Sequence, residues 1–470
     1  MAPFDRLSAL DCVFLDLETE RAPMTVGWTM RFRGEPPPLG ELREAVEGRL
    51  GSVPRLRRRL GQPAFGLGDA HWVDDPAFSV ASHVGSVHLV PSEGPRRLEE
   101  IAGRLLSEPL DRERPLWRLQ LVTGLEPGGF AIVGQAHHAL VDGVAAIEIA
   151  TVLFDGAGAA TAPVPWQPAP EPSTAEMLTA SALSRIGAGG DVATTVARSL
   201  ASGADTVREA LSILATLVTP MPRTALERSA TSRRTVATVS AEIGPVRESV
   251  GRYGATLNDA LLAASSVAVG RALARRGEEP DHVRVLVPAD VRDDGEDRDP
   301  VAVVGGALAV ELPLGRPDLE RTLKTVRART RTLKSAGQAG ALDAAIRSAE
   351  LLPAPVRSTA VKATAAAAHF TLVISNVPGP EGEIGVLGRE LEAIWPAVPL
   401  VDGHSLSIGA VSYGGRLHVG CYGDAALVPD IEQVAADLGE ALEELASLPE
   451  PEETPWRRRA RERRAANRAA

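Results

Sequence analysis

The spacing of apolar residues divides the chain into short strands and amphipathic helices that alternate along most of its length. Near the N-terminus, alternation predicts a strand over Thr25–Phe32, and apolar residues at i, i+3 and i+4 predict a helix over Leu39–Leu50. A further helix is predicted in RRLEEIAGRLLSEPL, and its inner face would be formed by Leu98, Ile101, Ala102 and Leu105. Strands mixed with helices in this way indicate an α/β fold with mixed sheets.

The stretch FAIVGQAHHALVDG combines a predicted buried strand with a polar bend. A Pro-Gly-Gly turn separates this strand from the preceding strand-like WRLQLVT, in which Trp117 is expected to be a core residue and Pro115 to occupy the first strand position. The resulting hairpin delivers His137 and His138 to the end of a strand. Asp142 follows, where it can cap the next helix and bind an arginine, for which Arg112, Arg118 and Arg292 are candidates.

In the second half, the clearest helix signal is ATLNDALLAASSVAVGRALARRG, with Thr256 as N-cap and Gly277 as the stop. Asp259 lies in its first turn, where an acidic side chain complements the helix dipole, so a structural role is favoured for it. HFTLVISNVPGP predicts a buried strand that runs into a turn, and HSLSIGAVSYGGRLHVG predicts a hairpin that turns at Gly414-Gly415.

The length and a change in composition predict the domain organisation. A chain of 470 residues exceeds one ordinary core, and GAGAATAPVPWQPAPEPS interrupts the pattern with alanine, proline and glycine. We therefore predict an N-terminal domain over 1–160, a linker with crossing helices over 161–230, a C-terminal domain over 231–450 and a tail over 451–470. The tail carries seven arginines and one glutamate after Trp456, typical of a solvated, disordered segment, with binding to anionic lipid headgroups as the alternative.

Composition and charge narrow the functional classes. Hydrophobic residues make up 44% of the chain and charged residues 24%, as in soluble globular proteins, and a net charge of −11 argues against a nucleic-acid binder. Two cysteines predict a reducing, cytoplasmic compartment. We expect no signal peptide and no membrane-spanning helix, so membrane contact would be peripheral. The scattered His71, His83 and His88 predict no metal site.

Several separate motifs carry a resemblance to a known family. HHALVDG, preceded by PLDRERPLW and followed by LNDALLAA and SNVPGP, resembles the bacterial wax ester synthase/diacylglycerol acyltransferase family, as do the segments LSALDCVFLDLETERAPMTVGW and VPLVDGHSLSIGAVSYGGRLHVG. The likeness covers almost the whole chain in the family's order and spacing. The histidine motif alone is also shared by chloramphenicol acetyltransferase-like enzymes, condensation domains of peptide synthetases and carnitine acyltransferases.

The resemblance implies two chloramphenicol acetyltransferase-like domains with a tunnel between them, which admits acyl-CoA from one side and a lipid alcohol from the other. It implies that His138 is the general base, that His137 supports the local geometry, that Asp142 orients the segment and that Gly143 permits the turn. The remaining motif residues, expected in substrate binding or in structural support, are Pro115, Leu116, Trp117, Asn258, Asp259, Asn376, Pro378 and Gly379.

The residues themselves agree with this chemistry. Acyl transfer from a thioester to an alcohol needs a base for the hydroxyl proton, and imidazole titrates near neutral pH. No nucleophile motif of the GxSxG type is present, so no covalent intermediate and no cofactor are expected. Backbone N–H groups or Asn376 would stabilise the oxyanion.

The sequence departs from the family at Thr25, where the family usually has histidine, and at Gly306 and Ala309, where it usually has asparagine and serine. These departures bear on acceptor choice and on the level of activity. The expected function is synthesis of triacylglycerol or wax ester from acyl-CoA, at the inner face of the cell membrane or on lipid inclusions. Two alternatives are a condensation-type acyltransferase that uses a carrier-protein thioester and a non-lipid acceptor, and a non-catalytic lipid-binding relative.

Overall fold

A computed structural model describes residues 4–63, 68–89, 97–125, 128–141, 149–154, 166–183, 218–229, 231–289, 306–315, 318–335, 346, 349–380 and 382–451. Its strands are β1 (Phe4–Arg6), β2 (Thr25–Phe32), β3 (Arg58–Gly61), β4 (His71–Asp74), β5 (Val84–His88), β6 (Trp117–Thr123), β7 (Phe130–His137), β8 (Arg234–Glu242), β9 (His282–Ala289), β10 (Gly306–Pro313), β11 (Leu372–Val377), β12 (Gly385–Val386), β13 (Arg389–Ala397), β14 (Leu406–Tyr413) and β15 (Arg416–Asp424).

The named helices within these ranges are α1 (Ala9–Leu17), α2 (Leu39–Arg49), α3 (Arg97–Ser107), α4 (Ile243–Arg252), α5 (Leu257–Arg275), α6 (Leu319–Ser335), α7 (Ala354–Ala367) and α8 (Ile431–Ala446). Residues 174–183 are also helical. None of these helices has both the length and the apolar character that a membrane crossing requires.

Two six-stranded mixed sheets form the framework. The first has the order β12-β13-β2-β7-β6-β5 and the second the order β10-β9-β11-β14-β15-β8. Most neighbours are antiparallel, but β5 runs parallel to β6, and β11 runs parallel to both β9 and β14. This confirms the predicted mixed α/β fold. A smaller, three-stranded sheet with the order β1-β4-β3 is formed by strands from the first half of the chain.

Segments from each half of the sequence pair with, or pack against, the sheet that the other half mainly forms. Strands β12 and β13 follow β11 of the second sheet, yet they extend the first sheet, where β13 pairs with β2. Helix α3, from the first half, packs against β8 of the second sheet. Three clusters of buried apolar residues result, one for each sheet with its helices and a third, around α3, that joins them.

Many local predictions are confirmed. Strand β2 spans Thr25–Phe32 as predicted, α2 ends one residue before the predicted Leu50, and the α3 residues predicted to face inward are all buried. Thr256 caps α5, and β14 and β15 form the predicted hairpin. Pro115 lies two residues before β6, because this strand begins at Trp117; its predicted place as the first strand residue was wrong.

Candidate active site

The turn after β7 is built by His137. Its backbone N–H donates to Leu116 O over 2.9 Å, its carbonyl accepts the Leu140 N–H over 2.8 Å, and its Nδ1 accepts the Ala139 N–H over 3.0 Å. Because Nδ1 accepts this hydrogen bond, the neutral ring carries its proton on Nε2. Burial, followed by the charge of Arg112, lowers the pKa of His137 to about 3, so the ring is neutral at physiological pH.

A carboxylate and an arginine lie on the other side of the His137 ring. Glu18 Oε2 is 3.5 Å from His137 Nε2, and the same carboxylate forms an ion pair with Arg112. The contact between His137 and Glu18 lacks hydrogen-bond geometry. Glu18 is the C-cap residue of α1, so this contact ties the N-terminal helix to the turn.

His138 lies one residue beyond the end of β7. Its backbone N–H donates to Met24 O over 2.8 Å, and Met24 adopts a φ of 45°, an unusual value for a residue other than glycine. The His138 ring stacks on Phe14, with centroids 3.8 Å apart and planes 10° from parallel. The residue is only partly exposed, and its Nδ1 is buried without a hydrogen-bond partner of good geometry.

The electrostatic surroundings keep His138 neutral. Desolvation is the main cause that lowers its pKa, to about 4; the adjacent His137 lowers it further, while backbone groups of His138 and Val141 act in the opposite direction. A neutral imidazole is the form that can accept a proton from a hydroxyl group.

Asp142 and Gly143 lie outside the described residues, as does Arg292. Of the other two arginines considered as partners of Asp142, Arg112 pairs with Glu18, and Arg118 pairs with Glu108 over 2.9 Å.

The PLW motif (Pro115, Leu116 and Trp117) contacts the turn after β7 through Leu116. Leu116 is buried and its carbonyl accepts the His137 N–H, as described above. Trp117 is 3% exposed, its Nε1 donates to Leu56 O over 2.7 Å, and its ring stacks on His83. Pro115 is buried next to these residues. The motif thus contributes buried side chains to the core and, through Leu116, one backbone hydrogen bond to His137.

The other two motifs lie on the second sheet and its helices. Asp259 belongs to the capping box of α5 with Thr256, and Asn258 is half-buried beside it. Asn376 lies in β11 opposite Ala410 and has a buried Oδ1 without a hydrogen-bond partner. Pro378 and Gly379 follow β11, and a Cβ at Gly379 would overlap the carbonyl of Ser412.

The three positions at which the sequence departs from the family lie in β2 and β10. Thr25 is opposite His137 in the pairing of β2 with β7, and its hydroxyl donates to Pro23 O over 3.1 Å. Gly306 is the first residue of β10, and Ala309 is buried within that strand.

Sequence reasoning missed Phe14, Glu18 and Met24, the three residues that contact the histidines from α1 and the segment before β2. The N-cap of α1 is Ser8, and Asp11 is the third residue of a capping box with it. The spacing Ser-x-x-Asp was the available signal for that helix start. Within the described part of the chain, no three His, Cys, Asp or Glu side chains form a group suited to a metal ion.

A cleft of about 1020 Å³ lies between the sheets at a distance from the histidines. Its lining includes Arg31 and Trp395 of the first sheet and Ser240 and His418 of the second. Arg31 is six residues along β2 from Thr25, which pairs with His137, and six residues of strand span about 20 Å.

Known proteins resemble the chain over most of its length. The model of the wax ester synthase/diacylglycerol acyltransferase catalytic domain matches residues 7–261, and the model of the C-terminal domain of the same family matches residues 305–446. A Mycobacterium tuberculosis protein named as a diacylglycerol O-acyltransferase is 29% identical in an alignment that covers 94% of this chain and 90% of that protein.

Solved structures support the fold. The wax ester synthase/diacylglycerol acyltransferase from Marinobacter aquaeolei VT8 superposes with a TM-score of 0.67 at 23% identity, covering 94% of this chain and all of that one. The first condensation domain of the CDA synthetase gives a TM-score of 0.62 at 16% identity, over 96% of this chain and 98% of that domain. At these identities the likeness concerns the fold alone.

Proposed function

The chain belongs to the wax ester synthase/diacylglycerol acyltransferase family and is an acyltransferase, and we propose that it transfers a long-chain acyl group from acyl-CoA to diacylglycerol, to a long-chain alcohol, or to both. The observation that carries the proposal is His138, a neutral and only partly exposed imidazole at the end of a central strand. Substrate classes rest on the family and on the names of relatives.

In the proposed reaction, His138 is the general base. Because Nδ1 is buried, Nε2 is the nitrogen that would face the substrate. It accepts the proton of the acceptor hydroxyl as that oxygen attacks the thioester carbonyl. The tetrahedral intermediate then collapses, the carbon–sulfur bond breaks, and the proton passes from the imidazolium to the leaving thiolate of CoA. Positioned general-base catalysis of this kind contributes about 10²–10⁴-fold.

We also propose supporting roles in this reaction for other motif residues. His137 holds the turn through three hydrogen bonds and does not exchange protons with the substrate. Asp142 orients the segment through an arginine, and Gly143 permits the turn. The oxyanion is stabilised by backbone N–H groups or by the Nδ2 amide group of Asn376, which can donate hydrogen bonds. No cofactor is needed beyond acyl-CoA as a co-substrate.

We propose a tunnel between the sheets, with the cleft of about 1020 Å³ as one entrance. A bulky residue at this entrance, as in Glu383→Trp, is expected to raise KM for one of the two substrates and to leave KM for the other unchanged. Equal kinetics in the variant and the unaltered chain would contradict this use of the cleft.

We further propose that the protein works at the inner membrane face or on lipid inclusions, which flotation with lipid vesicles would test.

One assay tests the central proposal. Purified full-length protein is given labelled palmitoyl-CoA with either diolein or hexadecanol, and the lipid products are separated. We expect triacylglycerol, wax ester or both, and a loss of at least about 100-fold in kcat for His138→Ala. His88→Ala is the matched control, since His88 is exposed on β5 and hydrogen-bonds Thr123.

Formation of neither product by the intact protein would contradict the lipid acyltransferase proposal and favour the carrier-protein or non-catalytic alternative. A His138→Ala variant as active as the unaltered chain would contradict the assignment of the base while leaving the substrates in place.

A further inference from the structure

Helix α1 presents one side chain to each of the two histidines. Phe14 stacks on His138, and Glu18, one turn later, faces His137. The centroid distance of 3.8 Å between Phe14 and His138 is shorter than the 4.5–7 Å usual for aromatic pairs. One face of the His138 ring is therefore covered, and the ring cannot rotate about its Cβ–Cγ bond without colliding with Phe14.

The first turn of helix α1 is closed by a reciprocal capping box of Ser8 and Asp11. Near its end, Asp16 pairs over 3.2 Å with Arg357, a buried guanidinium from α7 that also pairs over 2.5 Å with the buried Asp69. Since Asp16 is two residues from Phe14, an ion pair between the two halves of the chain fixes the helix that carries the ring.

We propose that Phe14 is a positioning residue for the general base: it fixes the plane of the His138 imidazole and keeps water from one face of it. This inference rests on the proposed function, because it has meaning only if His138 accepts the substrate proton. Phe14 takes no part in bond making or proton transfer in this scheme and acts through His138 alone. A misplaced base can cost up to about 100-fold in rate.

The shielding predicts a second, independent effect. Water at the open face of the ring would relieve the desolvation that keeps His138 neutral, so the group would become easier to protonate. Within the described residues, His137 is the titratable neighbour that acts on this ring, and it remains in place when Phe14 is changed. The acidic limb of the pH profile should then move to higher pH.

The chain offers a matched control for the substitution. Phe370 stacks on His404 with almost the same geometry, 3.9 Å between centroids and 13° between planes, in a segment before β11. Phe370→Leu therefore removes an equivalent stacked pair away from His138. Phe14→Leu removes the aromatic ring that stacks on His138, and Phe14→Tyr keeps an aromatic ring at this position.

The experiment measures kcat, KM for palmitoyl-CoA and the pH dependence of kcat/KM for these three variants and for His138→Ala, with circular dichroism to monitor folding. We expect Phe14→Leu to lower kcat about tenfold or more with KM little changed, and to move the acidic limb from near pH 4 towards pH 6.5. Phe14→Tyr is expected to restore both, and Phe370→Leu to leave both unaffected.

The inference is overturned if Phe14→Leu keeps the kcat and pH profile of the unaltered chain, or if Phe370→Leu changes them equally. Should Phe14→Leu not fold, Phe14→Met decides by the same criteria, because it keeps most of the volume without an aromatic plane. An active His138→Ala would overturn the proposed function itself, whereas an inactive His138→Ala with a normal Phe14→Leu overturns the role of Phe14 alone.

Discussion

The Thr330 hydroxyl of α6 donates a hydrogen bond of 2.7 Å to Asp259 Oδ1 in the first turn of α5. The other carboxylate oxygen of Asp259 accepts from the backbone N–H and the hydroxyl of Thr256, over 2.8 and 2.9 Å. Asp259 is 5% exposed, and these contacts use both of its oxygens. Asp259 of the Asn-Asp motif therefore joins α5 to α6.

Asp259→Ala is expected to lower the free energy of unfolding by about 2–3 kcal/mol, because it removes the carboxylate side of the capping box and the buried hydrogen bond to Thr330. The kcat per folded molecule is expected to stay unchanged. Urea denaturation and single-point assays on the folded fraction measure both quantities. Thr330→Val, which removes one of the hydrogen bonds, should cost about 1 kcal/mol. A folded but inactive Asp259→Ala would show that the carboxylate serves the reaction instead.

Gly379 of the NVPG motif is expected to tolerate no side chain. A Cβ at this position would overlap the backbone carbonyl of Ser412, which belongs to β14 and cannot move without the sheet. Gly379→Ala should therefore lower the free energy of unfolding by about 2 kcal/mol or more. Gly382→Ala is the control, because a Cβ there meets no atom within 4 Å. Equal thermal midpoints for the two variants would contradict the steric explanation.

Trp117→Phe tests the structural role of the PLW motif. The change keeps an aromatic ring in the core but leaves the Leu56 carbonyl without the indole N–H, a loss of about 1–3 kcal/mol. The half-exposed Trp166, whose Nε1 donates to Asp75 O over 2.9 Å, gives a comparison in which water can replace the lost donor. Chemical denaturation should show a smaller loss for Trp166→Phe, and the reverse order would be inconsistent with the packing described here.

Stability is expected to fall in mild acid because buried histidines stay neutral in the folded state. Burial is the main cause that lowers the pKa of His137 to about 3 and that of His418 to about 4, whereas an unfolded histidine titrates near 6.5. Below pH 6.5 the unfolded chain binds protons that the folded chain does not. Each residue therefore removes up to about 1.4 kcal/mol of stability per pH unit until its folded pKa is reached.

Denaturation midpoints from pH 7.5 to 5 measure this slope, and His418→Phe should reduce it. His418 is 2% exposed and hydrogen-bonds Ser240 through Nδ1 over 2.8 Å, so an aromatic replacement of similar size preserves most of the packing. A slope identical to that of the unaltered chain would mean that His418 is protonated in the folded protein.

Glu18 and Arg112 are expected to be energetically coupled. In a double-mutant cycle of Glu18→Gln and Arg112→Gln, we expect a coupling of about 0.5–1 kcal/mol in the free energy of unfolding, because Glu18 is 20% exposed and its side chain also faces His137. The exposed pair of Asp111 and Arg114, 3.3 Å apart, is the control and should show coupling near zero. Equal coupling in the two cycles would argue against a special environment at Glu18.

Local patterns in the sequence were sufficient for much of the fold. The alternation in Thr25–Phe32, the inner face of α3 and the cap at Thr256 are signals that a few neighbouring residues define, and the structure confirms them. The family resemblance likewise needed only short motifs in the right order, and the matches of both domain models confirm it. The position of His138 at the end of a buried strand follows from the same local reasoning.

Only the tertiary structure shows which distant segments of the chain pair in the sheets and contact the histidines. No local pattern indicates that β12 and β13 leave the second sheet to complete the first, since strand pairing depends on partners far away in the chain. For the same reason the sequence could not show that Phe14 lies on His138 or that Glu18 faces His137. Contacts across more than 100 residues are set by packing of whole elements. Only that packing separates the motif residues near His138 from those, such as Asp259 and Gly379, whose described contacts are structural.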